Sequence, residues 1–96
     1  MIIEHALLPV RPGLETDFEA AFAQARPLIE AAGGCRGVTL RRSIETPNEY
    51  LLLVEWDSVA AHTEGFRGSA AYDRWRHLLH RFYEPFPVVE HFTEVR

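Results

Sequence analysis

The sequence predicts an α+β fold built on one antiparallel four-stranded sheet, and three observations carry that expectation. The stretch Asn48-Glu-Tyr-Leu-Leu-Leu-Val-Glu-Trp56 reads as a strand with no exposed face. Strand side chains alternate with period two, so Tyr50, Leu52, Val54 and Trp56 share one side and Leu51 and Leu53 the other. Glu55 is the only charge between Tyr50 and Trp56. Residues 2–8, Ile-Ile-Glu-His-Ala-Leu-Leu, repeat the pattern of a strand apolar on both faces. Two stretches with apolar residues at 3.6-residue spacing fall between the strands, giving the order β-α-β-β-α-β. In a chain of 96 residues the helices can cover one side of such a sheet, so a second subunit is expected on the other.

Each element has its own local cause. Pro9 ends the first strand, and Pro12 and Gly13 punctuate the turn that follows. Thr16 and Glu19 have capping-box spacing at the start of the first helix. Its buried stripe is Leu14, Phe18, Ala21, Phe22, Ala25, Leu28, Ile29 and Ala32. Pro27 removes the hydrogen bond to the Ala23 carbonyl, which predicts a kink, and Gly33-Gly34 stop the helix. A second strand is expected over residues 37–45, with Val38, Leu40 and Ile44 on one face and Thr39, Arg41, Ser43 and Glu45 on the other. That polar alternation marks an edge or rim. Thr46-Pro47-Asn48-Glu49 supplies the hairpin turn into the third strand. Asp57 or Ser58 caps a short helical segment reaching about residue 66, Gly68 breaks it, and Ser69 caps the last helix. That helix turns Ala71, Tyr72, Trp75, Leu78, Leu79 and Phe82 inward, and Pro85 and Pro87 lead into a final strand over residues 88–95. The order matches the split-βαβ, ferredoxin-like plan, in which right-handed crossovers place the first and third strands centrally. Those are the two strands that are apolar on both faces.

Composition bounds the function. The 96 residues suit a single domain over positions 1–96. A net charge of −4 without a basic stripe argues against nucleic acid as a partner. The single Cys35 precludes an internal disulfide, suits a reducing cytoplasm, and reads as a small packing residue. No apolar run approaches the roughly 18–20 residues of a membrane span, and no signal-peptide pattern opens the chain, so a cytoplasmic protein without membrane contact is expected. There is no glycine-rich phosphate loop, dinucleotide fingerprint or zinc spacing, so neither cofactor nor metal is expected.

The chain resembles the antibiotic biosynthesis monooxygenase family of dimeric α+β barrel proteins. The resemblance is carried by Asn48-Glu-Tyr-Leu-Leu-Leu-Val-Glu-Trp-Asp-Ser58, His62, Ser69-Ala-Ala-Tyr72 and the Pro85-containing turn into Glu90-His91-Phe92. Arg26-Pro27 and the Gly34-Cys35 turn extend it over nearly the whole chain. It implies a homodimer with two sheets face to face and a small cavity between each sheet and its helices. It also implies a cofactor-independent monooxygenase of phenolic, anthrone or quinol-type substrates, although other members degrade haem. In the oxygenases of polyketide aromatics, a tryptophan ending the third strand corresponds to Trp56 and a later arginine to Arg76. Two further polar positions of that subgroup read here as Leu52 and His62. The positions the haem-degrading subgroup relies on read as about Ala6, Phe66 and Arg76, which argues against haem degradation.

His62 is the candidate proton acceptor, because an ordinary histidine titrates near neutral pH and a cofactor-free oxygenase must favour its substrate's anion. The alternative is a surface histidine on a short helix. Trp56 stacks on a planar substrate or anchors the core. Arg76 stabilises a phenolate or enolate, yet it lies about 100° from the centre of its helix's inward stripe, and an ion pair in solvent is the alternative. Tyr72, Phe66, Phe22 and His5 are the candidate substrate-binding residues. His5 and His91 fall on adjacent strands, so one can line the cavity while the other packs at the dimer interface. His77 and His80 have helix-neighbour spacing, but His77 lies opposite the buried stripe and no third metal ligand is evident. The expected function is therefore cofactor-independent oxygenation of a small aromatic or quinol-type molecule. The alternatives are a non-catalytic small-molecule binding dimer and isomerase-type proton transfer on a small carbonyl compound.

Overall fold

Antiparallel pairing joins β1 (Ile2–Pro9) to β3 (Glu49–Trp56) along its full length and to β4 (Val89–Phe92) on its other side. The strand β2 (Cys35–Arg42) completes the sheet against β3, giving the order β2-β3-β1-β4. The two strands that are apolar on both faces are therefore central, as their sequences require. A computed structural model describes residues 1–96 in full. The helices α1 (Glu15–Glu30) and α2 (Ala70–Leu79) both lie on one face, making a ferredoxin-like α+β fold.

Register decides which residues face the helices. Glu4 pairs with Val54, Ala6 with Leu52 and Leu8 with Tyr50, and all six are buried. Phe18, Phe22, Ala25 and Ile29 of α1 and Trp75 and Leu79 of α2 close over them. Phe18 is the hub, with Tyr50 at 4.8 Å and Phe82 at 5.6 Å between ring centroids. The opposite face carries Ile3, His5, Leu7, Leu51 and Leu53, none fully buried, and Leu7 and Phe92 are 45% and 49% exposed.

Several local expectations are corrected. No capping box forms at α1: Leu14 precedes the helix without a side-chain cap, and Glu15 instead accepts the Gly13 N–H at 2.9 Å. With Leu14 at the N-cap, Thr16 lies two residues further on, inside the first turn, where it cannot cap the helix. The helix runs through Pro27 to Glu30, because the Ala31 N–H bonds the Pro27 carbonyl beyond the missing donor. The strand β2 starts at Cys35 and ends at Arg42, since Ser43 bonds Glu49 across the hairpin and its hydroxyl accepts the Thr46 N–H. Ile44 therefore lies in the turn, 89% exposed, rather than beside Val38 and Leu40. The last strand is only four residues long, and Val95 is exposed.

Candidate functional site

Between β3 and α2 the chain makes a wide turn. Ser58 caps its start by accepting the Ala61 N–H, and residues Ala61–Phe66 then wind as a π-helix. The turn closes when the Arg67 N–H bonds the His62 carbonyl at 3.0 Å, an i to i+5 bond. A π-turn is rare and recurs at functional sites. Here it drives both His62 and Phe66 inward over the end of β3, to 3% and 2% exposure. Arg67 follows immediately, exposed at the rim.

Beneath that turn sits a polar cluster in an otherwise apolar core. Trp56 is fully buried, and its indole Nε1–H donates to Glu4 Oε1 at 2.9 Å. His62 stacks on Trp56, with ring centroids 5.3 Å apart and planes 18° apart. Its Nε2 lies 3.4 Å from the same Glu4 oxygen, and its Nδ1 lies 2.8 Å from His91 Nε2. Strand register explains the meeting: His91 on β4 is the cross-strand partner of Glu4 on β1.

Burial sets the electrostatics. His62 is pushed down to about 4, first by desolvation and then by Arg67 and His91, so it is neutral at pH 7. Burial also pushes the Glu4 carboxyl above the usual range, against the opposing effects of the Trp56 N–H and Arg67. Tyr83 is raised, chiefly by burial, and His80 is lowered for the same reason. The Cys35 thiol is likewise raised by burial, in keeping with a packing role.

A cavity of about 80 Å³ opens beside the cluster. Glu4, His62, Arg67, Tyr72, His80 and Tyr83 supply its polar wall, and the rest is apolar, with Phe86 and Pro87 from the connector before β4. No group of three or more histidine, cysteine, aspartate or glutamate side chains is arranged to hold a metal.

The sequence-based candidates divide in this frame. His62 and Tyr72 line the cavity. Trp56 lies behind the wall, with its hydrogen-bonding edge committed to Glu4. Phe66 packs among Trp56, Tyr72 and Trp75, and Phe22 packs against Phe18 and Trp75, both away from the cavity wall. His5 points to the other face of the sheet, edge-on to Phe92, whereas His91 points inward. Arg76 is exposed on α2, where it pairs with Asp73 at 3.5 Å. The rim cation is Arg67 instead, displaced to the cavity by the π-turn. Glu4 was not singled out from sequence. The signal was present, since alternation from Ala6 and Leu8 puts a lone carboxylate on the inward face of a central strand.

Residues 1–78 match the sequence model of the family Antibiotic biosynthesis monooxygenase. The chain is 52% identical to the uncharacterized protein YczJ of Bacillus subtilis, over 99% of this chain and all of that one. It is also similar to a candidate antibiotic biosynthesis monooxygenase from Bordetella bronchiseptica, at 47% identity and a TM-score of 0.93, covering 99% and 97% of the two chains. At 18% identity, a mutant of SnoaB, a cofactor-independent oxygenase from Streptomyces nogalater, shares the fold with a TM-score of 0.85, over 99% and 93% of the chains. No helix is long and apolar enough to cross a membrane.

Proposed function

The chain belongs to the antibiotic biosynthesis monooxygenase family, and we propose that it is a cofactor-independent monooxygenase acting on a small quinol-type substrate in the cavity under the π-turn. The observation that carries this reading is the buried pair of Glu4 and His62 on the cavity's polar side, with the half-buried His91 behind it on His62 Nδ1. A quinol supplies all the electrons that oxygen needs. Hydroquinone and O₂ give hydroxybenzoquinone and water, with one oxygen atom entering the ring and the other leaving as water. The protein's part is to remove a phenolic proton and hold the electron-rich anion where oxygen reaches it. Arg67, at the rim, places a positive charge near that anion.

Cavity size limits the substrate. A void of about 150 Å³ is the scale that admits one benzene ring, and the cavity here measures about 80 Å³. The cavity as it stands is smaller than one ring, so a single ring is the upper limit and requires the cavity to widen. Phe86, 62% exposed on the connector, is the side chain placed to move. The same small volume favours a second reading, isomerase-type proton transfer on a small carbonyl compound.

The dimer belongs to this proposal. Its support is the outward sheet face, where Ile3, Leu7, Leu51, Leu53 and Phe92 gather, an arrangement unusual for a surface meant for water. A cytoplasmic setting is supported by the unpaired Cys35 thiol. Oxygen-electrode measurements with hydroquinone and substituted hydroquinones test the main reading. Catalytic uptake without added flavin or metal supports it. Absence of uptake, with exchange of the α-protons of a small ketone into deuterated water, favours the isomerase reading.

A further inference from the structure

His62 is committed at Nδ1, which is engaged with His91 Nε2 at 2.8 Å, while its Nε2 faces Glu4 Oε1 at 3.4 Å without a hydrogen bond. Glu4 differs. Its Oε1 takes the contacts to both Trp56 and His62, while Oε2 has no protein partner. No fully buried side-chain nitrogen or oxygen in the chain lacks a hydrogen-bond partner. Oε2 therefore borders open space, and the space that Glu4 lines is the cavity.

We propose that Glu4 Oε2 is the atom that takes the substrate's hydroxyl proton, with His62 as the positioning residue that, together with Trp56, holds the other carboxylate oxygen. This inference rests on the reading of the cavity as the substrate site. In the step, the substrate O–H bond breaks, an Oε2–H bond forms, and the electron pair stays on the substrate oxygen. Burial raises the Glu4 carboxyl, which makes it a stronger base than an exposed carboxylate, while His62, near 4, is a weak one. The surrounding titratable and charged groups are His62 and Arg67 from the π-turn, His91 across the strand pair, Tyr72 and His80 from α2 and its end, and Tyr83 from the connector. Burial of the Glu4 carboxyl outweighs the opposing effects of the Trp56 N–H and Arg67.

Two measurements test the proposal. In the first, the intact protein labelled with ¹³C at the glutamate carboxyl carbons is titrated with phenol, a probe that resembles the substrate but is not turned over. The Glu4 resonance is expected to move saturably and its titration midpoint to shift. An unmoved Glu4 resonance overturns the proposal, whatever reaction the protein catalyses. In the second, hydroquinone turnover is compared among variants with unchanged near-ultraviolet circular dichroism. Glu4→Gln, which keeps an acceptor for the Trp56 N–H, is expected to lose about 100-fold or more. His62→Gln is expected to lose less than about tenfold and to shift the pH profile, as a positioning role requires. Full activity in Glu4→Gln overturns the assignment. If the wild-type protein consumes no oxygen, the oxygenase reading falls and the phenol titration alone decides the role of Glu4.

Discussion

At the scale of single residues, the site is a small set of polar groups whose properties follow from burial. His62 illustrates the sign of the effect. Its folded value near 4 lies below the ordinary 6.5, so the unfolded chain binds the proton more readily between those limits. The neutral ring's contribution is complete above about pH 6.5 and is lost as pH falls toward 4. Urea titrations are expected to show the wild type losing about 2 kcal/mol more than His62→Gln between pH 7 and pH 5. Equal losses would mean that His62 is not held neutral. Glu4 acts in the opposite direction, since its raised carboxyl weakens the fold as pH rises above 4.5, and the His62→Gln comparison holds that contribution nearly constant. Trp56→Phe removes both a buried ring edge and the donor to Glu4 Oε1, and an unfolding free energy lower by about 2–4 kcal/mol is expected in the same assay. Trp56 and His62 were legible in the sequence because a resemblance marked their positions. Glu4 is less legible, because a single acidic residue in a run apolar on both faces stands out only when its inward parity with Ala6 and Leu8 is counted. Arg76 was legible in its surroundings. Its flank position on α2 was evident from the helical repeat, and the structure gives it the solvent ion pair with Asp73.

At the scale of elements, two joints position the cluster. Ser69 accepts the Tyr72 N–H at 3.3 Å and so starts the helix that presents Tyr72 to the cavity. Ser69→Ala is expected to cost about 1 kcal/mol in chemical denaturation. Gly34 is the tighter joint. It turns at φ 86° into β2, and a Cβ there would stand 2.8 Å from the Ala61 Cβ at the start of the π-turn. Gly34→Ala combines backbone strain with a clash, so a loss of about 1–3 kcal/mol is expected, together with a displaced His62 resonance in NMR. The strands were readable because a pattern apolar on both faces leaves little choice of place. The π-turn was not, since a six-residue segment read as an ordinary helical turn sends Arg67 elsewhere. Strand ends were also hidden, because Ile44 and Val95 look like strand residues, yet Ile44 falls in the hairpin turn and Val95 lies beyond the last paired residue of β4.

At the scale of the whole molecule, one sheet face is covered by helices and the other offers Leu7 and Phe92 half-exposed beside Leu51 and Leu53. Sedimentation at micromolar concentration is expected to give twice the chain mass, and Leu53→Arg, which puts a charge in the middle of that face, to give a folded monomer. A folded wild-type monomer would contradict the proposed pairing. The cavity faces away from that surface, on the helix side of the sheet, so pairing and chemistry are separable. The most direct test of the chemistry is a turnover with hydroquinone under ¹⁸O₂, quenched rapidly and read by mass spectrometry. One labelled oxygen atom in the hydroxyquinone product is the expected result, with the yield falling sharply in Glu4→Gln. Product carrying no label, or no product from a folded wild-type protein, would contradict the account of this cavity as the site of a cofactor-independent monooxygenase.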